Sequence, residues 1–190
     1  MAILMATCAA LAATISAAAP GDTVQLSADC SALVEVRSRT KAAPGVTVEA
    51  IGRTLSAGLR MWDSSGITWR GGTIRGGANG YGLDLRRGER IVFEAVTFTD
   101  AVRGAVVNAT KQVTIRNSSF LRNRSDGINF VGAGDLGVAE NNLFRDFDPG
   151  QTKCELADDV VEVGLPKAAC TAKGGDWTDT YHPDAIQSWA

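Results

Sequence analysis

One short phrase recurs four times between Thr68 and Phe144. It reads Thr68-Trp69-Arg70-Gly71-Gly72-Thr73-Ile74, then Val92-Phe93-Glu94-Ala95-Val96-Thr97-Phe98. It returns as Thr114-Ile115-Arg116-Asn117-Ser118-Ser119-Phe120 and as Gly137-Val138-Ala139-Glu140-Asn141-Asn142-Leu143. The first apolar anchors, Trp69, Phe93, Ile115 and Val138, are 24, 22 and 23 residues apart. The second anchors, Ile74, Phe98, Phe120 and Leu143, repeat those spacings. Two positions that drift together in this way mark a structural repeat, and a period in this range predicts a stacked solenoid.

A third segment accompanies each copy. Leu59-Arg60-Met61, Leu83-Asp84-Leu85, Ala105-Val106-Val107 and Ile128-Asn129-Phe130 follow the same spacings of 24, 22 and 23. Their outer residues are apolar and their middle residues vary. Side chains alternate across a strand, so the outer pair faces the core and the middle residue faces out. Three short strands per turn of about 23 residues do not fit the longer helical repeats, and no leucine-rich LxxLxLxxN phrase is present. Val24 and Val48 extend the period back to residue 23. The fold class expected is all-β, with coils over 23–148.

The net charge is -2, which gives nucleic acid little to bind, because phosphates reward clustered Lys and Arg. No segment is long and apolar enough to span a membrane. The four cysteines fall as two local pairs, Cys8 with Cys30 and Cys154 with Cys170. We read them as disulfides in an oxidising compartment, against the alternative of four reduced thiols. A zinc site is short of ligands, because no CxxC occurs and His182 is the single histidine.

Residues 1–22 admit two readings. Ile3 to Ala19 resembles the apolar part of a signal peptide, but no Lys or Arg precedes it. Leu4, Cys8, Leu11 and Ile15 instead make one helical stripe that Pro20-Gly21 stops. The helix, over roughly 5–18, is the favoured reading. It would cap the first coil, with Cys8–Cys30 fastening it, and any export signal would then lie upstream of Met1.

These features together resemble the right-handed parallel β-helix of the pectate-lyase-like superfamily. The repeated Thr-Ile-Arg-Asn-Ser-Ser-Phe phrase, the Asp126-Gly127-Ile128 strand opening and the Ala18 to Leu26 entry carry the resemblance. Proteins of this kind include polysaccharide lyases, hydrolases, epimerases, tailspikes and adhesins. The resemblance therefore implies a secreted or periplasmic protein that meets a polysaccharide. It transfers no catalytic residue, because fold alone does not give function. The Asn-Thr-Asp-Gly strand of polygalacturonase-like hydrolases is absent. Tyr181-His182-Pro183-Asp184 only echoes the Asp-Pro-His-Glu run of alginate epimerases.

The fifth copy is interrupted. After Asp148, residues 149–183 lack the repeat, and the pattern resumes at 184–190. Ile186 lies 58 residues after Ile128, which reads as two coils and a modest excess. The chain then stops within a coil, so we expect an N-terminal fragment whose missing coils, or an oligomer partner, cover the end.

Stacked coils turn register into rows. The outward row reads Arg60, Asp84, Val106, Asn129 and Gln187. Three residues earlier lie Tyr81, Arg103, Asp126 and Asp184, and two further back Asn79, Ala101, Arg124 and His182. His182, Asp184, Asp126 and Tyr181 are the catalytic candidates. Arg124, Arg103, Asn129, Gln187 and Asp84 are the substrate-binding candidates. Asp126 and Asp184 would be about 5 Å apart if one coil separates them and about 10 Å apart if two do. They can serve as an acid–base pair or as oxygen ligands for Ca²⁺. A lyase or epimerase acting on a uronic acid must also neutralise the sugar carboxylate, a task for Arg103 or Arg124, and needs a base, a task for His182 or Tyr181. The competing readings are structural. Asp before Gly is common turn chemistry, and Asn117, Asn141 and Asn142 read as turn residues. A non-catalytic carbohydrate-binding module, adhesin or tailspike-like protein is the alternative to an enzyme. Arg86, Arg87, Glu89 and Arg90 read as a solvated turn, although Arg86 and Arg87 could extend a cationic groove.

Overall fold

Three parallel sheets run side by side, and successive coils add one strand to each. The computed structural model describes residues 1–132, 136–147, 153–155, 161–163, 167–178 and 184–189. The first sheet stacks Ile3–Ala6, Thr23–Leu26, Val46–Glu49, Ser65–Arg70, Glu89–Glu94, Lys111–Arg116 and Gly137–Glu140. The second stacks Thr54–Leu55, Thr73–Arg75, Thr97–Thr99, Ser119–Leu121 and Leu143–Arg145. The third stacks Val34–Arg37, Leu59–Trp62, Tyr81–Arg86, Arg103–Asn108, Ile128–Val131 and Ile186–Trp189. The repeated phrase is thus a strand of the first sheet, a turn and a strand of the second. The triplet belongs to the third.

The corners explain why each coil closes. After the first sheet, Gly71, Ala95, Asn117 and Asn141 all take positive φ at the equivalent position. After the second sheet Asp100, Arg122 and Asp146 do so, and after the third Ser38, Asp63, Arg87, Ala109 and Gly132. Asn is among the residues that tolerate this left-handed region, which accounts for Asn117 and Asn141. Asn142 stitches coils together: its Oδ1 accepts from Ser118 N–H at 2.9 Å and its Nδ2 donates to the Ile115 carbonyl at 2.8 Å.

Inward rows fill the centre. Trp69, Phe93 and Ile115 stack on one side, and Ile74, Phe98, Phe120 and Phe144 on another, with Trp69, Phe93, Phe98 and Phe120 fully buried. The rings of Phe98, Phe120 and Phe144 lie nearly parallel at 4.8 and 4.9 Å. Outside the first sheet, charge alternates coil by coil. Arg70 sits between Glu49 and Glu94, and Arg116 between Glu94 and Glu140. Like charges stacked at strand spacing would repel, so the alternation favours this register over a slip by one coil.

The N-terminal expectation needs correction. The helix spans only Leu11–Ala17, and Ile3–Ala6 is a strand paired in parallel with Thr23–Leu26. The reason is the exposed edge of that strand, whose N–H and C=O groups need partners. A strand at residues 3–6 satisfies them, which a helix turn there does not. Leu11 and Ile15 still close the core, and the Cys8–Cys30 disulfide fastens the segment to the first coil.

The coil arithmetic is corrected too. Ile128 pairs directly with Ile186, so Asp126 and Asp184 lie on adjacent coils. The excursion therefore falls within a single coil, between the corner at Asp146 and the start of the next third-sheet strand at Asp184. Part of that excursion forms a separate antiparallel sheet of Lys153–Glu155, Val161–Val163 and Asp176–Thr178, with a short helix at Lys167–Ala172. The buried Cys154 and Cys170 are joined as the second disulfide.

Candidate functional site

Among the described residues, the third sheet presents an outward row of acids, amides and an arginine without the strict alternation of the first. Backbone pairing runs Glu35, Arg60, Asp84, Val106, Asn129 and Gln187. The row expected from sequence is therefore the row observed, with Glu35 added at its start.

A column of small residues lies alongside. Gly82, Gly104, Gly127 and Ala185 directly follow Tyr81, Arg103, Asp126 and Asp184. A Cβ on Gly104 would stand 2.6 Å from Phe120 Cδ1 and 2.7 Å from the Gly127 carbonyl oxygen. One on Gly82 would meet the Gly104 carbonyl at 2.6 Å. Glycine here lets each coil settle on the next. It also leaves no side chains between the row of Arg103 and Asp126 and the strand that follows.

Arg103 and Asp126 meet across one coil. Arg103 Nε donates to Asp126 Oδ2 at 3.0 Å, and Asn129 Nδ2 donates to the same oxygen at 2.9 Å. Asn129 Nδ2 also donates to Gln187 Oε1 at 3.0 Å, and Gln187 Nε2 donates to Asp184 Oδ2 at 3.2 Å. The network thus links five expected residues over three coils. Asp126 is 1 % exposed and Asn129 2 %, yet Asp126 Oδ1 and Asn129 Oδ1 have no hydrogen-bond partner. Buried acceptors of this kind are normally satisfied, so two adjacent orphans mark a place where a donor is wanted. Ca²⁺ takes six to eight oxygens. Two free oxygens beside a guanidinium fall short of that, and among the described residues no three acidic, His or Cys side chains group closely enough to hold a metal.

Asp84, also expected, is nearly fully buried and accepts from Arg86 through both oxygens, at 2.7 and 3.3 Å. Val106 separates it from Asn129, so Asp84 belongs to a second group on the same face. Arg124 sits at the corner between the second and third sheets. It is exposed, makes no ion pair among the described residues, and lines a trough of about 160 Å³ with Gly76, Gly77, Gly80 and Asp100. Tyr181 and His182 lie outside the described residues.

Sequence reasoning placed Asp84 and Arg60 in the outward row but did not bring Trp62 and Arg37 to them. Arg37, Arg60 and Arg86 place their guanidinium carbons 4.2, 4.9 and 4.7 Å from the Trp62 ring centroid. Hydrogen bonds from Arg37 and Arg60 hold the Glu35 carboxyl below its ordinary range. Arg86 is therefore a member of the face, not of a solvated turn. Arg87 pairs with Asp63 at the corner, and Arg90 donates to the Lys41 carbonyl. The signal available was the period of two: Trp62 stands two residues after Arg60 and so shares its side of the strand.

A fold of stacked three-strand coils with a polar face on one sheet defines a parallel β-helix. The chain belongs to this family: the family model described as "Right handed beta helix region" matches residues 57–154. No curated protein matches the chain. Among solved structures, an alginate lyase from Paenibacillus sp. str. FPU-7 is similar, with a TM-score of 0.64 at 17% identity. The likeness covers 79% of this chain and 60% of that one, so the chain spans 60% of the neighbour's length. At that identity the likeness is one of fold. No helix among the described residues is long and apolar enough to cross a membrane.

Proposed function

We propose that the outward face of the third sheet binds an acidic polysaccharide in an exported protein, and processes it by lyase or epimerase chemistry on a uronic acid. The observation that carries this is Asp126: a buried carboxylate beside the outward row of the third sheet, held by Arg103 and Asn129, with one oxygen left unpartnered among the described residues. The two disulfides fit an oxidising compartment. The β-helix neighbour is an alginate lyase, which supports a polymer of this class.

The chemistry assigns roles to this chain's residues. A cation beside the sugar carboxylate spreads the negative charge that builds as the neighbouring carbon loses its proton. Arg103 and the unpaired Arg124 serve this step. A base then takes the carbon-bound proton, and Tyr181 or His182 fills that role. In elimination the electron pair forms the new double bond and the glycosidic oxygen leaves with a proton. In epimerisation the second of these two residues delivers a proton to the opposite face of the carbon. Asp126 and Asp184, one coil apart, orient hydroxyls around the reacting ring.

A second reading keeps the binding and drops the reaction. It is favoured by the saturation of the face: Arg60, Arg86 and Arg103 already hold carboxylates. One screen separates the two. The protein is incubated with alginate, pectate and glycosaminoglycans, with and without Ca²⁺. Unsaturated product is read by absorbance and epimerisation by NMR. Product that disappears in a His182→Ala variant supports the enzyme and that base. Binding without product on every polymer leaves the binding module. No binding at all removes both.

A further inference from the structure

The group around Trp62 is the strongest feature that the proposed site leaves unused. Arg37, Trp62 and Arg86 occupy the same outward position on three successive coils, by the pairings Arg37 with Trp62 and Trp62 with Arg86. The indole is thus sandwiched between two guanidiniums, with Arg60 from its own strand as a third. Glu35 accepts from Arg37 Nη2 at 2.9 Å and from Arg60 Nη1. Asp84 takes Arg86 and, at 3.7 Å, Arg60. Three cations face two anions, so one positive charge is uncompensated. Two buried donors, Arg60 Nε and Trp62 Nε1, have no hydrogen-bond acceptor. Arg86 gives Nε and Nη2 to Asp84, and Arg37 and Arg60 each give one N–H group to Glu35; the N–H groups that remain on the three guanidiniums fit a planar or tetrahedral oxyanion. Arg37 and Arg86 keep 45% and 38% of their side chains exposed, so the cluster is open to solvent.

The position on the face adds direction. Asn129 stands three coil steps from Arg60 in the outward row, about 14 Å at strand spacing. At the Asn129 end the orphans are acceptors, Asp126 Oδ1 and Asn129 Oδ1. At the Trp62 end they are donors. A ligand spanning the face would present donors to one end and an anion to the other. We propose that Trp62, Arg37, Arg60 and Arg86 form an anion-recognition subsite for a carboxylated or sulfated sugar residue, several rings away from the Asp126 end of the same chain. The subsite rests on the reading of the third sheet as a glycan-binding face. Its role is binding and register, not chemistry.

The test uses the full chain and defined oligosaccharides. Oligouronates of increasing length, sulfated oligosaccharides of matching length and neutral oligosaccharides are titrated in by calorimetry and by tryptophan fluorescence. The comparison is between the wild type and Arg37→Gln, Arg86→Gln, Arg37→Lys and Trp62→Phe. Thermal melts of each variant come first, and Arg37→Lys keeps the charge should the Gln variants melt early. We expect anionic oligomers long enough to reach Trp62 to bind the Gln variants about tenfold more weakly, the effect of losing one charge-assisted contact. Short oligomers should bind all variants alike. The fluorescence response to long anionic oligomers should be lost in Trp62→Phe. Loss confined to uronates assigns a carboxylate, loss confined to sulfated chains assigns a sulfate, and either supports the subsite. Unchanged affinity in both Gln variants, or an equal loss with neutral or short oligomers, overturns it while the face as a whole stands. A wild type that binds no glycan overturns the face and the subsite together.

Discussion

Arg103 and Asp126 form an ion pair across adjacent coils in which the carboxylate is almost wholly buried and the guanidinium is 37% exposed. The asymmetry matters for mutation. Arg103→Ala leaves a buried negative charge with only Asn129 as donor. We expect a loss of about 2 kcal/mol, below the full effect of breaking a buried pair because solvent screens the exposed partner. Asp126→Asn keeps an acceptor for Arg103 and Asn129 and should lose less. Urea unfolding of the two variants checks the order. If Asp126 also orients a substrate, Asp126→Asn will reduce turnover more than stability.

Phe120 lies between Phe98 and Phe144 in the aromatic stack, with no exposed surface. Phe120→Ala should destabilise the fold by about 3–5 kcal/mol through the cavity and the lost contacts. Phe144→Ala should lose less, because that ring is only partly buried. Equal losses at the two positions would contradict the stack as drawn.

The glycine column makes a sharper steric prediction. Gly104→Ala puts a methyl within 2.7 Å of the next coil's carbonyl oxygen. Overpacking of this sort typically destabilises by about 1–3 kcal/mol. Gly174→Ala, where a Cβ would meet nothing within 4 Å but φ is +72°, serves as a control for backbone strain alone. Thermal midpoints of both variants separate the two effects.

The Cys8–Cys30 disulfide closes a separation of 22 residues. By loop entropy it contributes about 3 kcal/mol against the unfolded chain. The double variant Cys8→Ser, Cys30→Ser should lower the unfolding free energy by about that amount. A smaller change would mean that pairing of Ile3–Ala6 with Thr23–Leu26 holds the N-terminal segment by itself.

Acid should weaken the coil corners. Arg122 holds the carboxyl of Asp100 below its ordinary range, and Arg87 does the same for Asp63. A carboxyl with a folded pKa below its unfolded one binds fewer protons when folded. Its contribution is present above the unfolded pKa, about 4, and is lost as pH falls through the folded value. Stability should therefore stay level above about pH 5 on this account and decline below about pH 4. Arg122→Gln should flatten that decline, and added salt should reduce it because the pairs are exposed. Melting curves taken from above about pH 5 to well below about pH 4 check the slope.

Much of this molecule was legible because its period is regular. Trp69, Phe93 and Ile115 align in the structure as they do in sequence, and so do Asp126 and Asp184 although 58 residues and an excursion separate them. Rows of equivalent positions survive such an excursion because backbone pairing, not chain length, sets them. The Trp62 group was missed for a definable reason. The triplet Leu59-Arg60-Met61 stops one residue before the second outward position of the strand, the position that Trp62 shares with Arg37 and Arg86. The strand at Ile3–Ala6 was missed because Leu4 fits a helical stripe as well as a strand, and only the unsatisfied edge of Thr23–Leu26 decides between them. The burial of Asp84 and Asp126 had no sequence signal, since an outward-facing position on a solenoid is ordinarily wet.

The pairing of Ile128 with Ile186 shows that a corner between the second and third sheets tolerates a long departure with no change of step on either side. Such a corner acts as a port. A segment that enters and leaves at this point keeps the rows on either side of it in register. Novelty next to the Asp126 row can thus arise by swapping one cassette, while the stacking code that holds the scaffold stays fixed. In a fold of this kind the scaffold and the specificity are able to evolve on separate clocks.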